Sequence, residues 1–198
     1  VQALTRAVTS GWVAPLGPEV DGFEADICEF TGVSHALALS SGTAAIHLAL
    51  MAIGVKPGDE VIVPTLTFGA TSFAVTYTGA KPVFLDVEEK SWGLDPDLLE
   101  SMLAERSRRG RVVAAIIAVD LFGRPADYDH ILPIAQKYEV PVVVDAAESL
   151  GATHLDRATG TMGQAGIYSF NGNKIMTTSG GGMLVSGDEE LVEKARFW

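Results

Sequence analysis

Cysteine is almost missing from this chain of 198 residues: Cys28 is the only one. No intrachain disulfide can form, and metal sites built on CxxC pairs are excluded. Cys28 lies in DGFEADICEF, a helical pattern in which a buried, inert thiol is expected. Basic residues are also scarce: 14 Lys and Arg stand against 25 Asp and Glu, giving a formal charge of −11. A chain this acidic repels nucleic acid phosphates and anionic lipid, so neither nucleic acid nor membrane is an expected partner. Long apolar runs are absent. None approaches the ~20 residues of a membrane span, and no basic segment leading into an apolar one opens the chain. These features predict a cytoplasmic protein. Val1 begins the sequence, and EKARFW, helical in composition, ends it without a stop signal, which predicts a fragment of something longer.

What the chain does have is material for a core. It is 47% hydrophobic with a positive mean hydropathy, enough for one compact domain. Short apolar runs alternate with helical patterns. The runs are HALALS (35–40), EVIVPT (60–65), KPVFLDV (81–87), RVVAAIIAV (111–119), VPVVVDA (140–146), AGIYSF (165–170) and GGMLVS (181–186). Several are continuously apolar rather than alternating, as strands covered on both faces are. Between them lie GTAAIHLALMAIG, DPDLLESMLAERSRR and DYDHILPIAQKYE, the second with Asp95 as a helix cap and Pro96 at the first helical position. Residues 1–34 read as a helix, the loop GWVAPLGPEV and a second helix. The pattern predicts an α/β domain with a mainly parallel sheet flanked by helices. Ligands of such sheets sit beyond the carboxyl ends of the strands, so the residues that follow each run are the candidates for a site.

After HALAL comes SSGTAA (40–45), where small residues turn a strand straight into a helix. Gly42 and Thr43 would leave N–H groups free at the helix start, an anion site suited to phosphate, with Ser41 and Thr43 adding hydroxyls. Ser and Thr also simply cap helices, and neither a Walker loop nor GxGxxG is present. After VPVVV comes Asp145, a carboxylate that needs a partner at the end of an apolar strand. It would either cap a helix or pair internally, or it would face a cation in the cleft, with Glu148 three residues on toward the same pocket. After GIYSF comes NGNKIMTTSGGG. Its Lys174 is the only charged residue between Arg157 and Asp188, and Ile175 and Met176 beside it suggest burial. A desolvated lysine is pushed toward its neutral amine, a nucleophile for carbonyl carbon. Phe68, in PTLTFGAT just past another strand, is either core or a ring-stacking residue. A phosphate cradle, a carboxylate for a ring cation and a nucleophilic lysine together are what pyridoxal 5'-phosphate requires.

The segments SGWVAPLGPEVDGFE, SSGTAAIHLAL, DEVIVPTLTFGATSFAVTYTGAKPVFLDVE, DLFGRPAD, VDAAESLGAT and SFNGNKIMTTSGGGML, in this order over essentially the whole chain, resemble the DegT/StrS-type nucleotide-sugar aminotransferases. The resemblance implies a fold-type I pyridoxal phosphate enzyme working as a homodimer. Residues 1–198 would be its cofactor-binding large domain, with a small C-terminal domain missing. Lys174 would form the Schiff base and carry the proton, and Asp145 would pair with the pyridinium nitrogen. Gly42, Thr43 and Ser169 would hold the phosphate with Ser41 close by, and Phe68 would stack on the ring. Glu148 stands where the family usually has Gln or His. Asp120, in VDLFG, stands where the family has His and is assigned no catalytic role. The implied reaction moves an amino group from glutamate to a keto group of a nucleotide-linked deoxysugar. The NGNKIMTTSGGGM segment looks most like members acting at C4 of UDP-linked 4-keto-6-deoxy sugars. The alternatives are a regulatory or binding protein on the same fold and another fold-type I chemistry such as β-elimination.

Overall fold

The computed structural model describes residues 1–198. Two helices lead in, α1 (Gln2–Ser10) and α2 (Pro18–Thr31), followed by β1 (His35–Leu39), α3 (Gly42–Ala52), β2 (Glu60–Pro64), α4 (Ala70–Tyr77), β3 (Lys81–Leu85) and α5 (Pro96–Arg108). Then come β4 (Val113–Val119), a short 3-10 turn at Leu121–Gly123, α6 (Tyr128–Lys137), β5 (Val142–Asp145), a two-stranded hairpin β6 (Thr153–His154) and β7 (Arg157–Ala158), β8 (Ala165–Ser169), β9 (Gly182–Ser186) and α7 (Glu189–Phe197).

Seven strands form one sheet in the order β1-β9-β8-β5-β4-β2-β3. All neighbours are parallel except β9, which runs antiparallel to both β1 and β8. This is the α/β architecture that the alternating runs imply. The continuous apolar strands serve two cores, one on each face of the sheet. In β4, Ala115, Ile117 and Val119 join α3, α4 and α7, while Ile116 and Ala118 join α2, α5 and α6. Side chains alternate across a strand, so a strand sandwiched between helices must be apolar at every position.

Helix starts follow local chemistry. Asp95 caps α5 by accepting from the N–H groups of Asp97 and Leu98, with Pro96 at the first position. Asp188 caps α7 through the N–H of Leu191. No helix is long and apolar enough to cross a membrane. Cys28 departs from expectation: it is half-buried rather than buried, because it packs against the rim of the core from a helix with only Ile27 fully inside. Its partial burial raises the thiol pKa.

Candidate active site

The carboxyl edge of the sheet opens into a cavity of 320 Å³. Strand ends, and the loops and turns after them, supply its walls: Ser41 after β1, Thr67 and Phe68 after β2, Asp120 after β4, Asp145 and Glu148 after β5, and Ser169 and Lys174 after β8. Because β9 is reversed, its starting end reaches the same edge, and Gly181 joins the lining. All eight residues singled out from the sequence, Ser41, Gly42, Thr43, Phe68, Asp145, Glu148, Ser169 and Lys174, line this one cavity.

The floor at β1 is a helix start pressed against a strand end. Ser41 caps α3, its Oγ accepting from Ala44 N at 3.1 Å. The N–H groups of Gly42 and Thr43, at the first two positions of α3, have no carbonyl to bond within the helix. A side chain at Gly42 would close this hollow, since a Cβ there would stand 3.1 Å from Ser169 Cβ. Gly182 is needed just behind, where a Cβ would meet Ser41 C and O at 2.3 Å.

Asp145 ends β5 on the side of the sheet that faces α3 and α4, and it is only 6% exposed. Its Oδ2 accepts from Thr71 Oγ1 at 2.8 Å and its Oδ1 from Ala147 N at 3.3 Å. Burial raises its pKa above the ordinary carboxylate value, while the Thr71 bond, the Ala147 bond and the Lys174 charge oppose that rise.

Lys174 is the only basic residue in the cavity lining, which also carries the carboxylates of Asp120, Asp145 and Glu148. Its side chain is 12% exposed, and Nζ donates to Glu148 Oε1 at 3.1 Å. The other Glu148 oxygen accepts from Phe122 N at 3.0 Å, from a residue in left-handed backbone (φ 54°). The ammonium lies 6.0 Å from the Phe68 ring centroid, within cation–π range. One expectation needs correction, and one open alternative is decided. Ile175 and Met176 are exposed, at 69% and 42%. The turn of residues 171–176 tucks in Lys174 alone, so its burial comes from the pocket and not from apolar neighbours. Phe68 is no core residue: it stands 73% exposed on the open side of the cavity.

Asp120 lines the cavity yet is wholly buried and fully occupied. Oδ1 accepts from Ala126 N at 3.0 Å and Tyr128 Oη at 2.5 Å, and Oδ2 from Ser149 Oγ at 3.0 Å. Burial pushes its pKa up to about 6 despite these donors, and the Asp145 charge adds to the rise. Sequence reasoning missed three residues: Phe122, whose N–H fixes Glu148, and the hydroxyl pair Thr67 and Thr71, joined at 2.7 Å. Two threonines four apart at a strand-to-helix turn were the signal available for the pair.

The DegT/DnrJ/EryC1/StrS aminotransferase family model matches residues 1–198. The chain belongs to this family. Among its relatives is EpsN of Bacillus subtilis (strain 168), whose name is that of a pyridoxal phosphate-dependent aminotransferase; it is 51% identical over 98% of this chain and 50% of its own length. A GDP-perosamine synthase of Caulobacter vibrioides is 42% identical over 94% of this chain and 48% of its own. A crystal structure of a DegT DnrJ EryC1 StrS aminotransferase from Brucella abortus superposes with a TM-score of 0.93 at 38% identity, covering 98% of this chain and 52% of that one. The chain thus spans about half the length of the curated relatives it matches. Pyridoxal phosphate is the family's cofactor, and the residues here fit it. The Gly42 hollow suits a phosphate, and the one cation of the lining is a lysine facing a buried carboxylate across the same space.

Proposed function

We infer that the full-length protein transfers an amino group from glutamate to a keto group of a nucleotide-linked deoxysugar, with pyridoxal phosphate held at the carboxyl edge of the sheet. The observation that carries this reading is the convergence of Lys174, Asp145 and the Ser41–Gly42–Thr43 helix start on one cavity. When bound, the cofactor supplies an aldehyde for an amine and a ring that draws electrons from the substrate carbon.

The chain's own residues do the rest. Gly42 and Thr43 grip the phosphate through backbone N–H groups and the α3 dipole, and Ser41 and Ser169 border it with hydroxyls. Asp145, nearly buried, would face the ring nitrogen and hold its proton. Lys174 Nζ would face the aldehyde, and as a free amine it would carry the proton to and from the substrate carbon as general base and acid. Glu148 is already engaged by Lys174 and Phe122, and it orients that amine. Phe68, in the cavity lining, would cover the ring face.

Phe68 in the cavity lining, and Phe122 and Ile175 next in sequence to the lining residues Leu121 and Lys174, are all largely exposed. Three large apolar groups beside a charged cavity favour a homodimer in which a second subunit covers them. The remaining half of the protein would supply a small C-terminal domain. The amination position is read as C4 of a UDP-linked 4-keto-6-deoxy sugar, on the likeness of the Lys174 segment.

The test is the visible absorption spectrum of the full-length protein beside Lys174→Ala, followed by glutamate-dependent turnover. The expected result is a cofactor band in the wild type that borohydride abolishes and the variant lacks. UDP-linked 4-keto-6-deoxy sugars should then be aminated faster than GDP- or TDP-linked ones. A protein that cannot be reconstituted with pyridoxal phosphate would refute the cofactor reading. Faster turnover of a GDP- or TDP-linked sugar would refute only the nucleotide.

A further inference from the structure

Thr71 is wholly buried on α4, and its single hydroxyl proton is committed. Its Oγ1 donates to Asp145 Oδ2 at 2.8 Å. Thr67 Oγ1 lies 2.7 Å from the same Thr71 oxygen. With the Thr71 proton already used, Thr67 must donate to it. The other acceptor within Thr67's reach, the Phe68 carbonyl, is farther away at 3.4 Å. The result is a directed chain of two hydroxyls, running from the cavity wall through the start of α4 to the carboxylate.

Such chains strengthen cooperatively, and the link that ends on a charged acceptor is the strong one. Oδ2 has no other protein donor within hydrogen-bond range, and Oδ1 has only the 3.3 Å contact from Ala147 N. The same chain anchors the turn that follows β2, because Thr67 immediately precedes Phe68, whose ring faces Lys174. Two walls of the cavity, the carboxylate and the aromatic, are therefore set by one pair of side chains.

We propose that Thr71, backed by Thr67, is a positioning residue that fixes the Asp145 carboxylate toward the bound cofactor's ring nitrogen and ties the Phe68 turn to it. This rests on the pyridoxal phosphate reading of the cavity. The test uses the full-length protein with Thr71→Val, Thr71→Ser and Thr67→Val. Each is titrated with pyridoxal phosphate and, separately, with pyridoxamine phosphate, which has no aldehyde and so reports the cavity without a covalent bond to Lys174. The readouts are the dissociation constant and the pH midpoint of the bound cofactor's spectrum.

Thr71→Val should weaken pyridoxamine phosphate binding about tenfold, the effect of losing one bond to a charged group, and should move the spectral midpoint. Thr71→Ser should restore both to near wild type, and Thr67→Val should shift them in the same direction by less. An unchanged affinity and midpoint in Thr71→Val would overturn the proposal. Equal losses in Thr71→Val and Thr71→Ser would assign Thr71 to packing and overturn it too. If Thr71→Val does not fold, Thr67→Val decides: an unmoved midpoint there overturns the proposal. A wild type that binds neither compound removes the pyridoxal phosphate reading itself, and the proposal with it.

Discussion

Asp120 offers a prediction that needs no cofactor. It is fully buried, it faces three donors and no cation, and its pKa is pushed from 3.8 up to about 6. A carboxyl whose folded-state pKa is raised binds its proton more readily in the folded than in the unfolded chain. Its contribution to stability is therefore full below 3.8 and is lost as the pH rises through about 6. At 1.36 kcal/mol per pH unit, the change across that window is about 3 kcal/mol. The assay is urea unfolding of the cofactor-free wild type and Asp120→Asn at several pH values between 4 and 7.5. Groups not coupled to Asp120 cancel in the difference of the two unfolding free energies. That difference should fall by about 3 kcal/mol as the pH rises through the window. Asp145 is coupled to Asp120, so the inflection belongs to the pair, and Asp120→Asn also relieves Asp145 of a neighbouring charge. A difference that stays flat with pH, or that grows, would refute the reasoning.

Lys174→Ala should fold normally yet leave no cofactor that borohydride can fix to the protein, as mass spectrometry of the reduced protein would show. Asp145→Ala should keep measurable cofactor binding but lose at least about a hundredfold in glutamate-dependent turnover; normal turnover would remove Asp145 from its assigned role. Gly182→Ala should destabilise the fold by about 1–3 kcal/mol in chemical denaturation, because its Cβ would collide with the Ser41 backbone, and it should weaken cofactor binding as the cradle shifts.

Most of the sheet was legible because burial on both faces leaves a plain signature. The seven apolar runs are the seven strands of the sheet, and the cap at Asp95 begins α5 as read. The hairpin β6–β7 was not legible. Its two-residue turn, Leu155 and Asp156, has both residues in left-handed backbone, a geometry usually announced by Asn-Gly. Helix α4 hid as well, since ATSFAVTY is rich in β-branched and aromatic residues and has no side-chain cap. That is why Thr71 went unnoticed. The candidate residues themselves could be read because chemistry sits where strands end. What the sequence could not supply was which groups meet: the pairing of Lys174 with Glu148, and the left-handed turn at Phe122 that completes it, depend on distances between loops far apart in the chain.

The reversed strand β9 has a consequence for how the protein forms. The hollow beside Gly42 is walled by residues from β1, β8 and the start of β9, so it exists only once β9 has inserted between strands from opposite ends of the sequence. Closing so long a loop costs entropy, and non-local pairing of this kind is slow. A ligand seated there recognises only the finished sheet. Its binding energy therefore adds to the global unfolding free energy rather than to one local element. Cellular cofactor supply would then govern how much of this protein survives proteolysis, as well as how fast it turns over.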